Sequence, residues 1–242
     1  GIMGAAVQQG TQGYNIGRLS AAASGLPSHV PGMSVDRQCA SGLMAIAIGA
    51  KQIACNEMDI VIGGGVESNS LVQNEFSNKY KSQDRFLISN KPNIYMSMIE
   101  TAEVVSKRYK VERDQQDEYA LQSQQRTAQA QNKGYFDDEI IPVKTIQAFR
   151  NLENDKLDYK EVEISKDECN RPSTDIFGLQ NLKPVMGEDS FITAGNASQL
   201  SDGSSASVLM SMKLAEKRNL NPIGICHGVA VAGCEPDEMG IG

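Results

Sequence analysis

The segment between Met33 and Ser68 constrains the fold more than any other part of the chain. It reads MSVDRQ, then CASGLMAIAIGAKQIACNE, then MDIVIGGGVES. The first piece suits a strand, and the last reads as a buried strand running into a glycine-rich turn. Between them Leu43, Ile46, Ala47, Ala50, Ile53 and Ala54 recur at helical spacing. Strand, helix, strand predicts a parallel sheet with crossover helices. The helix is so rich in Ala and Gly that it is expected to be surrounded by protein rather than to carry a wide solvated face.

This arrangement puts Cys39 where a strand gives way to a helix. Unpaired backbone N–H groups and the helix dipole favour a thiolate at such a position. Ala40, Ser41 and Gly42 leave room for a substrate carbonyl, and neighbouring N–H groups suit an oxyanion. Cys39 is therefore a candidate nucleophile, with its sulfur expected to face a cavity. Periodicity alone favours the other reading, a small buried cysteine chosen for packing.

Either side of this unit the pattern changes. A short helix is predicted within YNIGRLSAAASG, closed by Gly25 and Pro27. From Ser70 to Asp175 polar and aromatic residues dominate, as in an excursion inserted into a sheet domain. A helix is predicted from about Ile99 to Asn132, broken at VERDQQDEYA, where Asp114 is available as a cap. After Phe191, TAGNASQLSDGSSASVLMSMKLAEKRN predicts a Gly and Ser turn followed by a helix of small residues. PIGICHGVAVAG predicts a further strand.

A formal net charge of -7 and a pI near 5.0 disfavour nucleic acid and anionic membranes as partners. Apolar runs fall short of the about 20 residues that span a bilayer. Five cysteines without a close pair, and only two histidines, form neither a zinc pattern nor a disulfide framework, so a reducing, cytoplasmic setting and no metal are expected. Gly63 to Gly65 lack the lysine and the spacing of phosphate loops and are read as a tight turn. His29 is expected to be exposed and inert, and His227 to be packed in a strand. The chain opens at Gly1 and stops at GIG, so it is expected to be a piece of a longer protein.

VDRQCASGLMAIAIGAKQI resembles the thiolase motif in which Asn-Arg-x-Cys-x-Ser-Gly holds the acyl-carrying cysteine, with Asp36 in place of the usual Asn. GGGVES, RDQQDEYALQSQQRTAQAQNKGYFDDEIIPV and FITAGNASQLSDGSSASVLMS resemble further thiolase segments in the family's order, although Asn69 stands where Met is common. The resemblance implies an α/β thiolase fold, the N-terminal half with an inserted loop domain and the C-terminal half missing. Residues 1–69 would form the core without its first strand and helix, 70–198 the loop domain, 199–232 the return to the core, and 233–242 the start of the second half.

The same resemblance implies an acyltransferase that forms or cleaves 3-ketoacyl-CoA through an acyl group on Cys39, as in fatty acid metabolism. Acetyl-CoA or a 3-ketoacyl-CoA would be the substrate, with coenzyme A itself a substrate and no tightly bound cofactor. Ala194, Gly195 and Ser198 would lie beside the pantetheine arm, Arg171 near the nucleotide end, and Met98 near the acyl pocket. Ser97 stands where some short-chain thiolases have His. The family's Gly-His-Pro histidine and Cys-x-Gly-Gly-Gly cysteine are absent from the sequence, so residues 1–242 alone are expected to be inactive. A homodimer is implied, the compact polar stretch between Ser70 and Met98 arguing against a tetramer. The alternatives are a ketoacyl synthase-like condensing enzyme, disfavoured by RDQQDEYALQSQQ, and a noncatalytic thiolase-like scaffold that binds acyl-CoA.

Overall fold

The computed structural model describes residues 1–152 and 154–242. They form two compact units: residues 1–92 with 200–233, and residues 93–199 with 234–242. In contacts, the stretch 70–92 thus groups with the sheet.

The first unit holds strands β1 (Ile2–Gly4), β2 (Met33–Val35), β3 (Ile60–Glu67) and β6 (Gly203–Met210), and helices α1 (Ile16–Ala23), α2 (Ser41–Ala54), α3 (Asn69–Val72), α4 (Arg85–Asn90) and α8 (Met212–Lys217). Its sheet runs β2-β1-β3-β6. The first three strands are parallel, as strand-helix-strand order requires, whereas β6 pairs antiparallel with β3 from Ile60↔Met210 to Glu67↔Gly203. Ile2, Ala45 and Val61 form the buried core, with Val35, Ile48 and Ile53 packed against it. Helix α2 is covered on the side carrying Ser41, Ala45 and Gly49, but Leu43 is 57% exposed, so the expectation of a helix enclosed all round does not hold within this chain.

Three further expectations are corrected. Gly63, Gly64 and Gly65 are not a turn: they lie inside β3, paired with β1 on one side and β6 on the other. Glycine is needed there because other backbones come close. A Cβ on Gly64 would lie 2.1 Å from Ser205 O, and one on Gly65 would lie 3.1 Å from Gly42 Cα. SSASVLM is strand β6, not helix, because its ladder with β3 supplies hydrogen bonds that local propensity does not anticipate. PIGICHGVAVAG carries no strand: nothing pairs with it among the described residues, and both Ile223 and His227 are exposed.

Side chains close the open ends of the sheet. Glu67 accepts from Ala6 N (2.7 Å), Val7 N (3.3 Å) and Gln12 Nε2 (2.8 Å), and the buried Gln12 accepts in turn from Ser68 N. Asp202 accepts from Ser70 N at 2.9 Å and from the hydroxyls of Ser70 and Ser68, bonds that hold its carboxyl below the usual range.

The second unit contains α5 (Met98–Tyr109), α6 (Arg113–Asn132), the antiparallel hairpin β4 (Val143–Arg150) and β5 (Leu157–Ile164), and α7 (Ile176–Gln180). Ser97 and Glu100 form a reciprocal capping box on α5. The break before α6 falls where predicted, but its cap is Glu112, boxed with Gln115; Asp114 sits inside the first turn. At the other end of α5, Arg108 pairs with Asp237 (2.8 Å) and Glu238 (2.7 Å) in the 3-10 turn Pro236–Ile241.

The close approach of α2 to β1 gives a test. A Cβ on Gly4 would lie 2.1 Å from the carbonyl carbon of Ser41, so Gly4→Ala must push α2 off β1. Overpacking of this kind costs about 1–3 kcal/mol or more. Denaturant titration should show at least that loss, and unchanged stability would contradict the packing described.

Candidate active site

Cys39 lies between the end of β2 at Val35 and the start of α2 at Ser41. The turn that carries it is built by its neighbours. Gln38 adopts a left-handed φ of 47°, which is costly for a residue with a side chain and must be held by its surroundings. Asp36 Oδ1 accepts from Gln38 N at 2.7 Å, an Asx turn that the Asn usual in the motif would make with the same oxygen. Ser41, 3% exposed, accepts from Arg37 N at 2.8 Å through Oγ and donates to Gln38 O at 2.5 Å. Ala40 N and Ser41 N donate to Arg37 O and Gln38 O.

The first α-helical bond visible in this turn runs from Met44 N to Ala40 O. Helix geometry therefore leaves the N–H groups of Gly42 and Leu43 without an intrahelical acceptor, at the end of the helix that Cys39 precedes. Donors of this kind are suited to a developing oxyanion. Cys39 itself is exposed in this chain. An exposed thiol on a strained turn does not fit the alternative of a buried packing cysteine.

The other candidate residues belong to the second unit. Ala194, Gly195 and Ser198 share the irregular loop between Phe191 and Gln199, where Ala194 and Ser198 are exposed and Gly195 half-buried. The loop is knotted from within. Thr193, fully buried, accepts through Oγ1 from Gly195 N (3.1 Å) and Asn196 N (3.4 Å), and Asn196 Oδ1 accepts from Thr193 N (2.8 Å). Thr193 and Asn196 thus turn their polar atoms inward and leave Ala194 and Ser198 outward.

Met98 opens α5 and is 61% exposed; Ser97 before it spends its hydroxyl on the N-cap, accepting from Glu100 N. Arg171 is exposed on a stretch fixed to α6, where Arg171 N and Asn170 Nδ2 each donate to Gln124 Oε1 at 2.8 Å. Among the described residues no cluster of His, Cys, Asp and Glu could hold a metal ion.

Two roles were not read from the sequence. Gln38 and Ser41 set the cysteine turn, whereas the sequence suggested for Ser41 only a small side chain beside Cys39. Glu103 and Asp117, buried carboxylates on α5 and α6, hold the 191–196 loop; the i, i+4 pair Arg113 and Asp117 was the one available signal.

Ser41→Ala should show what the turn depends on. It strips the part-buried Arg37 N–H of its acceptor and leaves Gln38 O with only the Ser41 N–H, a loss of about 0.5–1.5 kcal/mol. Denaturant midpoints should fall accordingly, and alkylation of Cys39 by iodoacetamide should change rate; a variant matching the parent in both would contradict the role of Ser41.

A family model described as the thiolase N-terminal domain matches residues 1–213. The beta-ketoadipyl-CoA thiolase of Pseudomonas aeruginosa is 39% identical over 255 residues, covering 100% of this chain and 61% of that protein. The peroxisomal 3-ketoacyl-CoA thiolase B of Mus musculus is 41% identical, covering 98% of this chain and 54% of its own. Human mitochondrial 3-ketoacyl-CoA thiolase, solved in complex with CoA, superposes with a TM-score of 0.80 at 33% identity, over 100% of this chain and 60% of that one. The chain therefore spans roughly half to three-fifths of the length of these relatives. Agreement of sequence and fold along its whole length shows that the chain belongs to the thiolase family.

Proposed function

We propose that this chain supplies the nucleophile and the coenzyme A-facing loop of an acyl-CoA acyltransferase that forms or cleaves 3-ketoacyl-CoA. The observation that carries the reading is the turn at Cys39, an exposed thiol set before the N–H groups of Gly42 and Leu43, which have no intrahelical acceptor. The substrates are acetyl-CoA or a 3-ketoacyl-CoA, the setting is fatty acid metabolism, and coenzyme A is a substrate rather than a bound cofactor.

The reaction is ping-pong. The thiolate of Cys39 adds to the thioester or keto carbonyl, forming an S–C bond and an oxyanion. Collapse of the oxyanion breaks the bond to the leaving group, coenzyme A thiolate or the acetyl-CoA carbanion, which departs with the electron pair and takes a proton. In the second half the acyl group passes from Cys39 to coenzyme A or to an acetyl-CoA carbanion. Proton transfers belong to the family's Gly-His-Pro histidine and Cys-x-Gly-Gly-Gly cysteine, motifs that this sequence does not contain.

Ala194, Gly195 and Ser198 border the pantetheine arm in this reading, Arg171 meets the phosphorylated end with its guanidinium, and Met98 borders the acyl group. The loop's inward knot supports the first assignment, because it leaves Ala194 and the Ser198 hydroxyl exposed. Residues 1–69 and 199–232 act as the core, 70–198 as the inserted loop domain, and 233–242 as the opening of the second half. We further propose a homodimer in the cytoplasm. No helix among the described residues is long and apolar enough to cross a membrane.

An acyl-cysteine intermediate predicts isotope exchange without a second substrate. The native polypeptide that carries this chain, given acetyl-CoA and labelled coenzyme A, should exchange label between them, and Cys39→Ser should lower the rate by several orders of magnitude while keeping the fold. Exchange that persists in Cys39→Ser would reject Cys39 as acyl carrier. Coenzyme A binding with no exchange in the parent would favour the acyl-CoA-binding scaffold.

A further inference from the structure

We propose that Glu103 and Asp117 are positioning residues that set the 191–198 loop in the conformation that receives the pantetheine arm of coenzyme A. The inference rests on the function proposed above and assigns the second unit's two buried carboxylates a part in it.

Glu103 is 7% exposed in the middle of α5. Its Oε1 accepts from Phe191 N at 2.9 Å and Ile192 N at 2.8 Å, and its Oε2 accepts from Phe191 N at 3.2 Å. Two consecutive backbone donors at the entrance of the loop are thus held by one side chain. Asp117 is fully buried on α6 and faces both ways. Its Oδ2 accepts from Arg113 Nε at 2.7 Å and its Oδ1 from Asn196 Nδ2 at 3.2 Å, while Asn196 Nδ2 also donates to Phe191 O at 3.0 Å. Arg113 in turn donates through Nη2 to Leu179 O (2.7 Å) and Leu182 O (3.2 Å).

Those leucines are the floor of the loop. A Cβ on Gly195 would lie 2.5 Å from Leu182 Cδ1 and 2.6 Å from Leu179 Cδ2. One connected set, Glu103, Asp117, Arg113 and Asn196, therefore fixes the entrance of the loop, its inner knot and the surface beneath Gly195. Burying carboxylates is costly unless every oxygen is bonded, and packing alone would not require two of them under a segment with no regular structure. A ligand-facing loop gains from such rigidity because less ordering is left to occur on binding.

The test compares Glu103→Ala, Glu103→Gln and Asp117→Asn with the parent in the native polypeptide that carries this chain. Calorimetry gives Kd for coenzyme A, acetyl transfer gives KM and kcat, and iodoacetamide reports on Cys39 chemistry. Glu103→Ala, which leaves two loop N–H groups without acceptor, should raise Kd and KM about 10- to 100-fold, with kcat within about threefold and Cys39 alkylation unchanged. Glu103→Gln keeps an oxygen where Oε1 accepts both donors and should restore binding to within about threefold. Asp117→Asn must turn an NH2 toward Asn196 or Arg113, both donors, and should weaken binding about tenfold.

Unchanged Kd in Glu103→Ala, or equal damage in Glu103→Gln, would overturn the proposal. So would loss of the fold in both Glu103→Ala and Asp117→Asn by circular dichroism, since the carboxylates would then be general folding determinants. A parent that binds coenzyme A without acylating Cys39 would defeat the proposed acyl transfer alone. A parent that acylates normally beside a Glu103→Ala variant of unchanged KM would defeat this inference alone.

Discussion

The first turn of α2 rests directly on backbone, and the arrangement of Cys39 depends on that contact. Gly4 of β1 and Gly65 of β3 present no side chain to Ser41 and Gly42, so the helix comes closer to the sheet than any larger residue would permit. The approach buries Ser41, whose hydroxyl then ties Arg37 N to Gln38 O and holds Gln38 in a left-handed conformation. From that turn Cys39 emerges at the open end of the helix. Packing, turn geometry and the exposure of the Cys39 thiol are thus consecutive results of three small residues.

The second unit solves a related problem by other means. Its loop from Phe191 to Gln199 has no strand or helix to satisfy its backbone, and the unit provides buried polar side chains instead. Thr193 and Asn196 knot the loop internally, and carboxylates on α5 and α6 hold it from beneath. The first unit therefore orders its cysteine turn by close approach of backbones, and the second orders its irregular loop by hydrogen bonds.

Much of the first unit could be read from the sequence because helical and strand periods switch cleanly around Cys39. The misreadings have a common origin, since a residue's neighbours in space leave no local mark. Gly63 to Gly65 look like a turn until α2 and β6 are seen pressing on them. SSASVLM fits helix or strand by composition, and the ladder to β3 decides. The apolar alternation of PIGICHGVAVAG suits a strand, yet among the described residues no partner pairs with it. At the site, a motif of a few residues pointed to Cys39, whereas Glu103 lies 88 residues from the backbone N–H of Phe191 that it holds. No spacing rule links such positions.

The central claim is that this turn makes Cys39, among five exposed cysteines, the one that takes an acyl group. The most direct measurement is peptide mapping by mass spectrometry after brief exposure of the native polypeptide to acetyl-CoA and acid quench. The account predicts one acetyl group on the peptide containing Cys39, released by hydroxylamine as a thioester is. Acetylation of Cys55, Cys169, Cys226 or Cys234 to the same extent, or an acetyl ester on Ser41 with Cys39 unmodified, would contradict it.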